Sequence, residues 1–270
     1  MGRIPGKIPD LNSLGKDLLN TSKRQRWYAL GRPYIGVLLY TLAICFDLWW
    51  ITPLIVFYIF VAVVTVTHDV VHNSIGLEKA QSEWTLFLMG AVLMESGHAY
   101  RLSHLQHHKV FPGEDDPEGD PARMSLWKAL CYGPVFLYKL YFWSFKKTVK
   151  GSSQYYWLMA EGLWFFLWLV IGIALLPYTF AVLWYMIMVF VGSWVYPLLT
   201  VHLPHFGYGD HPISQTRSLR GKIIPLIFLE LTYHLEHHLY PQVPSHNLKK
   251  LSQRLDPFLK ENNARIWYVP

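Results

Sequence analysis

Histidines dominate the chemistry that this sequence offers. Of its 13 histidines, eight fall into three short clusters in which histidines recur three and four residues apart. The clusters are His68 and His72; His104, His107 and His108; and His234, His237 and His238. On a helix, side chains with this spacing share one face, with Cβ atoms about 5–6 Å apart. Neutral imidazole is the commonest protein metal ligand, and eight exceed the roughly four ligands of one zinc ion, so the clusters predict a site for two metals.

The ligand type limits which metal this site would take. The two cysteines, Cys45 and Cys131, form no C-x-x-C pair for an iron–sulfur cluster, and there is no H-E-x-x-H zinc-protease motif. Nitrogen-rich sites suit Fe, Cu, Zn or Ni, so ligand softness alone does not choose among them. The number of ligands and the apolar surroundings favour iron, because a redox metal that activates O₂ at a membrane could attack the C–H bonds of a lipid.

The composition predicts a membrane protein. Hydrophobic residues make up 52% of the chain and charged residues only 16%, against about 25% charged in soluble domains. No Lys or Arg occurs in residues 33–78 or in residues 151–216. Each of these blocks is long enough for two membrane crossings of about 20 residues.

We therefore predict an all-α integral membrane protein with four transmembrane helices in two hairpins. Its apolar runs cover residues 34–46, 49–67, 156–176 and 179–200, and the first helix should begin near Tyr28. All 24 basic residues lie outside the two uncharged blocks, which is the positive-inside pattern. Both termini should be cytoplasmic. Since an even number of crossings precedes each histidine cluster, all three clusters should lie on the cytoplasmic side, in a helical cap.

The chain reads as one domain with five parts. We expect a cytoplasmic arm at 1–27, a first hairpin at 28–67, the first two clusters with interfacial helices at 68–155, a second hairpin at 156–200, and a cytoplasmic region with the third cluster at 201–270. The apolar run 84–94 is too short to span a membrane, so it should be interfacial or packed against the bundle. Residues 125–145 mix aromatic residues with lysines, which is typical of a helix lying in the interface.

The motifs around the clusters resemble a known superfamily. They are HDVVHN at 68–73, HLQHH at 104–108, LPH at 203–205 and YHLEHHLYPQVP at 233–244. Their order resembles that of the membrane fatty acid desaturase/hydroxylase superfamily of di-iron enzymes, and within it the carotenoid β-ring hydroxylases and ketolases. The resemblance adds His205, in LPH, as a ninth iron ligand.

The resemblance implies an O₂-dependent oxidoreductase with two irons that hydroxylates, ketolates or desaturates C–H bonds of a membrane lipid. HDVVHN and LPH favour a carotenoid β-ring as substrate. The alternative is an acyl-lipid desaturase or hydroxylase, since "HNL" at 246–248 follows the last cluster. The sequence shows no flavin or nicotinamide fingerprint and no cytochrome-like extension, so electrons should come from a separate ferredoxin-type or cytochrome partner. No nucleic-acid partner is expected, and the oligomeric state is left open.

Other polar residues near the clusters have candidate roles. Asp69 and Glu236 lie within clusters and could orient the metal-bound imidazoles through their second ring nitrogens. The nearby acids could lend similar support, but we expect them to form a solvated turn, because Pro and Gly are interleaved; they are Glu114, Asp115, Asp116, Glu118 and Asp120. His202 should be a packing residue, and His98 structural or substrate-facing. His211 and His246 should lie in polar loops.

Two functions outside this class remain open. A zinc membrane hydrolase would need only about three histidines and a catalytic water. A non-enzymatic haem-binding or metal-handling bundle would place single histidines on facing helices at mid-membrane depth, whereas these histidines cluster at helix ends.

Overall fold

The computed structural model describes residues 7–270, which are mainly helical. The predicted arm at 1–27 falls partly outside this range, because residues 1–6 lie outside the described residues. The helices are α1 (Leu11–Leu14), α2 (Lys23–Cys45), α3 (Thr52–Val71), α4 (Lys79–Leu93), α5 (Gly97–Val110), α6 (Leu126–Lys147), α7 (Ser153–Leu175), α8 (Ala181–Pro197), α9 (Leu203–His205), α10 (Ile223–Ile227), α11 (His234–Leu239) and α12 (Leu248–Glu261). Two short parallel strands, β1 (Ser218–Arg220) and β2 (Ile266–Tyr268), depart from the all-α prediction.

Within residues 7–270, four helical segments are long and apolar enough to cross a membrane. They are Lys16–Cys45, Trp49–Val71, Ser153–Leu175 and Ala181–His205, and each overlaps one of the predicted apolar runs. The first long helix, α2, begins at Lys23 rather than near Tyr28, because Ser22 and Gln25 form a capping box there. The arrangement in two hairpins beneath a cytoplasmic cap stays a prediction.

Helix α3 is the central helix of the bundle. In its most apolar stretch 67% of residues are buried, against 17–28% in the other three candidate spans. Val56, Ile59, Val63, Val66 and Val70 recur along it at helical spacing and are all buried in the main hydrophobic core. A helix that is apolar on all sides is expected at the centre of a bundle, and this one carries the first histidine cluster at its carboxyl end.

Helices α4 and α5 form a short, tight pair that packs against the bundle. A Cβ added to Gly97 would lie only 2.4 Å from the Leu86 carbonyl oxygen, so a glycine is needed where the two helices meet. Trp164 and Trp168 of α7 donate indole N–H bonds to the Ala91 carbonyl at 3.3 and 3.1 Å. Tyr185 of α8 donates its hydroxyl to the Val92 carbonyl at 2.9 Å. Of the two expectations for 84–94, the structure shows packing against the bundle.

The carboxyl-terminal region has a core of its own. Helix α12 buries Leu248, Leu251, Leu255 and Leu259, which are spaced three and four residues apart, and Leu18 packs against them from the amino-terminal segment. The strand pair β1–β2 and helix α11 lie against α12. This core fixes α11, and with it the third histidine cluster, against the end of α3.

Candidate metal centre

Nine histidines from four distant segments converge at one end of the helical bundle. They come from the end of α3, from α5, from α9 and from α11, and they are the nine that the sequence and the resemblance predicted as ligands. Their ring nitrogens form two groups. Ligand atoms of His68, His72, His104 and His237 all lie within 4.8 Å of one another, as do those of His107, His205 and His238.

The remaining two histidines lie beside these groups. His108 Nε2 lies 3.2 Å from His104 Nε2 and 2.9 Å from His237 Nε2, next to the first group. His234 Nε2 lies 2.9 Å from His205 Nε2 and 3.0 Å from His238 Nε2, next to the second. The groups adjoin, since the His108 and His238 rings stack with centroids 4.3 Å apart.

These contacts cannot all be hydrogen bonds. An imidazole nitrogen carries either one hydrogen or one lone pair in the ring plane, so it makes one hydrogen bond of this kind. His237 Nε2 nevertheless lies 2.9 Å from the Nε2 atoms of both His68 and His108, and His234 Nε2 is shared in the same way. The buried His72 Nε2 has no hydrogen-bond partner among residues 7–270. Lone pairs aimed at a common point are the arrangement that a cation requires, so the donor set fits a metal ion in each group.

Burial keeps these rings in the form that binds metal. Desolvation, followed by the neighbouring His68 charge, lowers the pKa of His72 to about 2. Burial also places the pKa values of His104 and His108 well below the usual range, with neighbouring histidines adding to the effect. Because metal ligation needs neutral imidazole, the site is poised for metal at neutral pH.

Buried oxygen acceptors fix the orientation of three of the rings. His107 Nδ1 donates to Asp116 at 2.7 Å, and His104 Nδ1 donates to Glu118 at 3.2 Å. His205 Nδ1 donates to the Gln215 carbonyl at 3.0 Å. With Nδ1 protonated, each Nε2 presents its lone pair to the centre, which is the usual arrangement around metal-bound histidine.

The prediction of a solvated turn for the acidic run is therefore wrong for Asp116 and Glu118. Both are buried, each only 4% exposed. The run folds back onto α5: the Glu118 backbone N–H donates to Asp116 at 2.9 Å, and the Ser103 hydroxyl donates to Glu118 at 2.6 Å. Glu114 and Asp115 are exposed as expected. The sequence feature that could have indicated this burial is the position of the two acids just beyond a Pro-containing turn after HLQHH.

Asp69 and Glu236 lie near the centre but serve other partners. Asp69 Oδ1 is 3.9 Å from His68 Nδ1, beyond hydrogen-bond distance, and accepts bonds from the Ser245 N–H and hydroxyl at 2.9 and 2.7 Å. Glu236 accepts two bonds from Arg220, at 3.0 and 2.7 Å. Both carboxylates thus link cluster-bearing segments to neighbouring chain, and the imidazoles are oriented by Asp116 and Glu118 instead.

The other four histidines lie outside both groups. His202 Nδ1 donates to the Pro121 carbonyl at 2.9 Å, in keeping with the packing role expected for it. His98 lies between two carboxylates, with Nδ1 2.7 Å from Glu161 and Nε2 3.0 Å from Glu83. His211 accepts a weak bond from the Ile213 N–H at 3.4 Å. His246 is partly buried.

The candidate ligand His205 follows an irregular stretch of helix. Residues Leu198–His202 form a π-helical turn between α8 and α9, and such turns are frequent at functional sites. Pro204 has no N–H to continue the α-helical bonding, and its carbonyl accepts a bond from Arg217 N–H at 3.0 Å. The His205 ring that follows lies beside the third cluster, with its centroid 4.9 Å from that of His234.

An apolar cavity of about 540 Å³ lies inside the bundle beside the metal centre. Its volume lies within the roughly 300–1,000 Å³ of small-molecule sites. Thr67, which precedes His68, and Tyr100 both line it. The Tyr100 ring stacks on His104 with centroids 4.8 Å apart. This end of the cavity is therefore separated from the imidazoles of His68 and His104 only by Thr67 and Tyr100.

Comparisons with known proteins agree with this arrangement. The sequence profile of the family described as "Fatty acid desaturase" matches residues 47–270, which include all nine histidines. The chain is similar to dihydrorhizobitoxine desaturase of Bradyrhizobium elkanii, with 26% identity over 256 residues, covering 80% of this chain and 70% of that protein. It is also similar to a sphingolipid delta(4)-desaturase DES1-like protein of Oryza sativa subsp. japonica, with 24% identity over 235 residues, covering 81% and 69%.

Proposed function

The chain belongs to the fatty acid desaturase family and is thus a membrane oxidoreductase, and we propose that it uses two irons and O₂ to oxidise C–H bonds of a lipid chain. The observation that carries this proposal is the convergence of two histidine groups beside an apolar cavity. A hydrolase would need water at its metal, whereas the space next to this centre is suited to hydrocarbon.

The nine histidines would divide between the two irons. His68, His72, His104, His108 and His237 would hold one iron, and His107, His205, His234 and His238 would hold the other. When bound and reduced by an outside donor, the pair would supply O₂ activation and hydrogen abstraction. Asp116 and Glu118 would keep the proton on Nδ1 of His107 and His104, so that Nε2 stays the ligating atom.

The cavity's part is to position the substrate and to exclude water. Val63, Leu93, Leu137 and Val189 are among its apolar lining residues, and they would hold an extended chain by dispersion and hydrophobic contact. Fixing one C–H bond beside the centre is the protein's main contribution to the reaction, because the metals supply the oxidising power.

Desaturation of a lipid chain is the first candidate reaction. Both relatives are named desaturases, and one is named for a sphingolipid. Oxygenation of a carotenoid β-ring is the second candidate, and it rests on the HDVVHN and LPH motifs alone. A ferredoxin-type or cytochrome partner would supply electrons at the histidine end, which we expect to face the cytoplasm.

Product analysis would decide between these reactions. The chain would be expressed with a reductase system in β-carotene-accumulating cells, and both pigments and lipid double bonds would be measured. We expect new double bonds in acyl or sphingoid chains, absent from cells that express a His237→Ala variant. Oxygenated β-rings without new double bonds would favour the second candidate, and no change in either class would contradict the proposal.

A further inference from the structure

One carboxylate of the cavity wall has no role in the metal centre. Glu95 lies in the connection between α4 and α5 and lines the cavity. This connection is deep in the bundle, because Trp164, near the middle of α7, bonds the adjacent Ala91 carbonyl. Glu95 therefore presents a carboxyl group to a mainly apolar space, well away from either end of the long helices.

The hydrogen bonds of Glu95 are incomplete. Its Oε1 accepts a bond from the Ser193 hydroxyl of α8 at 2.5 Å. No hydrogen bond reaches Oε2 within the described part of the chain, and this atom is not sealed from the cavity. The contrast is Glu161, the other acidic residue of the lining, whose two oxygens bond the Ser96 hydroxyl and the His98 imidazole. Of these two residues, only Glu95 has a carboxylate oxygen without a hydrogen bond.

An open carboxyl group in apolar surroundings is costly unless it gains a partner. The group cannot turn away to solvent, since its connection is tied to α7 and α8 by Trp164, Trp168 and Tyr185. A carboxyl group held inside a substrate cavity despite this cost is suited to recognising a polar group of the substrate.

We propose that Glu95 and Ser193 form a polar anchor that binds a hydroxyl group on the lipid substrate, which makes the substrate class a hydroxylated lipid chain. This inference rests on the proposed function. A hydroxyl group fits better than an amine, because it can donate to Glu95 Oε2 while remaining neutral, and the Ser193 hydroxyl, which donates to Oε1, holds the carboxylate in place. An ammonium group would carry its full desolvation cost into the cavity.

The anchor would also set where the chain is oxidised. Helix α5 begins at Gly97, two residues after Glu95, and carries His104 of the metal centre. The stretch from Gly97 to His104 is about 10 Å long at 1.5 Å per residue. A hydroxyl group held at Glu95 would thus fix the distance along the chain to the C–H bond beside the imidazoles. The position of the hydroxyl group, rather than the chain end, would select the reacting carbon.

The test is a binding measurement that does not need turnover. Purified full-length protein in nanodiscs would bind the fluorescent fatty acid cis-parinaric acid, and competitors would displace it. The competitors would be methyl stearate and a series of methyl hydroxystearates that differ in hydroxyl position. We expect at least one hydroxylated ester to bind about 10-fold more tightly than methyl stearate, since a hydrogen bond to a buried carboxyl is worth about that factor.

Two variants and a control attribute this preference to the anchor. Glu95→Leu should reduce the preference to within about 2-fold while methyl stearate binds as before, and Ser193→Ala should reduce it partly. Glu261→Leu, the same change at an exposed position of α12, should leave it intact. If Glu95→Leu does not fold, Glu95→Gln, which keeps the shape, replaces it and should also weaken the preference.

The outcomes separate this inference from the proposed function. Equal binding of all esters by the wild-type protein, or a preference that survives replacement of Glu95, would overturn the anchor. Iron content is measured on the same samples. Iron-loaded protein with no preference overturns the anchor alone, whereas a preference in protein that binds no iron overturns the proposed function.

Discussion

Two buried clusters of histidine and carboxylate lie in this bundle, and they differ in one respect. Around His98, both ring nitrogens have carboxylate partners, Glu161 and Glu83, and Glu83 also pairs with Arg101 at 2.7 Å. In the metal centre, Nδ1 of His104 and of His107 is partnered but the Nε2 atoms converge on one another. The first cluster is complete within the protein, whereas the second leaves converging ring nitrogens that could bind a cation.

The difference shows that histidine burial alone does not indicate a metal site. His98 is fully buried and stacks on Trp157 with centroids 4.9 Å apart, yet no lone pair is left for a ligand. What marks a ligand is a buried nitrogen whose nearest neighbours are other imidazole nitrogens. The following changes should therefore act on iron in one cluster and on stability in the other.

The largest effect should come from removing a shared ligand. His237→Ala deletes the ring that contacts both His68 and His108, so we expect loss of bound iron and a fall in turnover of more than about 100-fold, with the helical content unchanged. Metal analysis and product formation measure this. His211→Asn, which keeps an acceptor at a loop histidine outside both groups, is the control. A His237→Ala variant with normal iron and activity would refute the ligand assignment.

A smaller loss should follow from disturbing the orientation of a ring. Asp116→Asn replaces the acceptor of His107 Nδ1–H by an amide, and changes of this kind typically cost about 10–100-fold in metal affinity or activity. Glu114→Gln, an exposed acid two residues away, should change neither. Iron retention during titration with a chelator measures the affinity. Equal retention in the two variants would mean that Asp116 has no orienting role.

In the other cluster the effect should appear as lost stability. His98→Ala leaves Glu161 and Glu83 without their shared partner, and each lost hydrogen bond to a charged group costs about 1.5–3 kcal/mol. We expect earlier thermal inactivation but the same iron content per folded chain. His98→Ala protein that folds normally and lacks iron would place His98 in the metal centre and erase the distinction between the clusters.

A still smaller effect should come from the tight contact of α4 with α5. Gly97→Ala would place a Cβ 2.4 Å from the Leu86 carbonyl oxygen, and overpacking of this kind costs about 1–3 kcal/mol. Gly31→Ala is the matched control, because nothing lies within 4 Å of its added Cβ. Melting curves of the two variants should separate clearly. If Gly97→Ala has the same melting temperature as the wild type, the contact between α4 and α5 is looser than the structure indicates.

The parts of the centre that follow a local period could be predicted from the sequence. The eight clustered histidines recur at helical spacing, and long apolar runs in the sequence indicate α3, α7 and α8. His205 stands alone in LPH, beside an irregular turn, so no period marks it and only the resemblance to a known superfamily indicated it.

Other features depend on contacts that no local pattern encodes. Asp116 and Glu118 return to α5 through a non-helical turn, and a sequence rich in Asp, Pro and Gly is typical of solvated loops as well. Glu95 and Ser193 are 98 positions apart and meet only because α4 and α5 enter the bundle beside α8. The 84–94 run was too short to indicate that depth.

The central claim is that the nine imidazoles hold two irons, and the metal content of the purified wild-type protein tests it most directly. Elemental analysis of protein produced in iron-supplemented cells should give about two Fe per chain, falling in parallel with activity in His237→Ala. About one zinc per chain with no iron, or a haem Soret band in its place, would contradict the account.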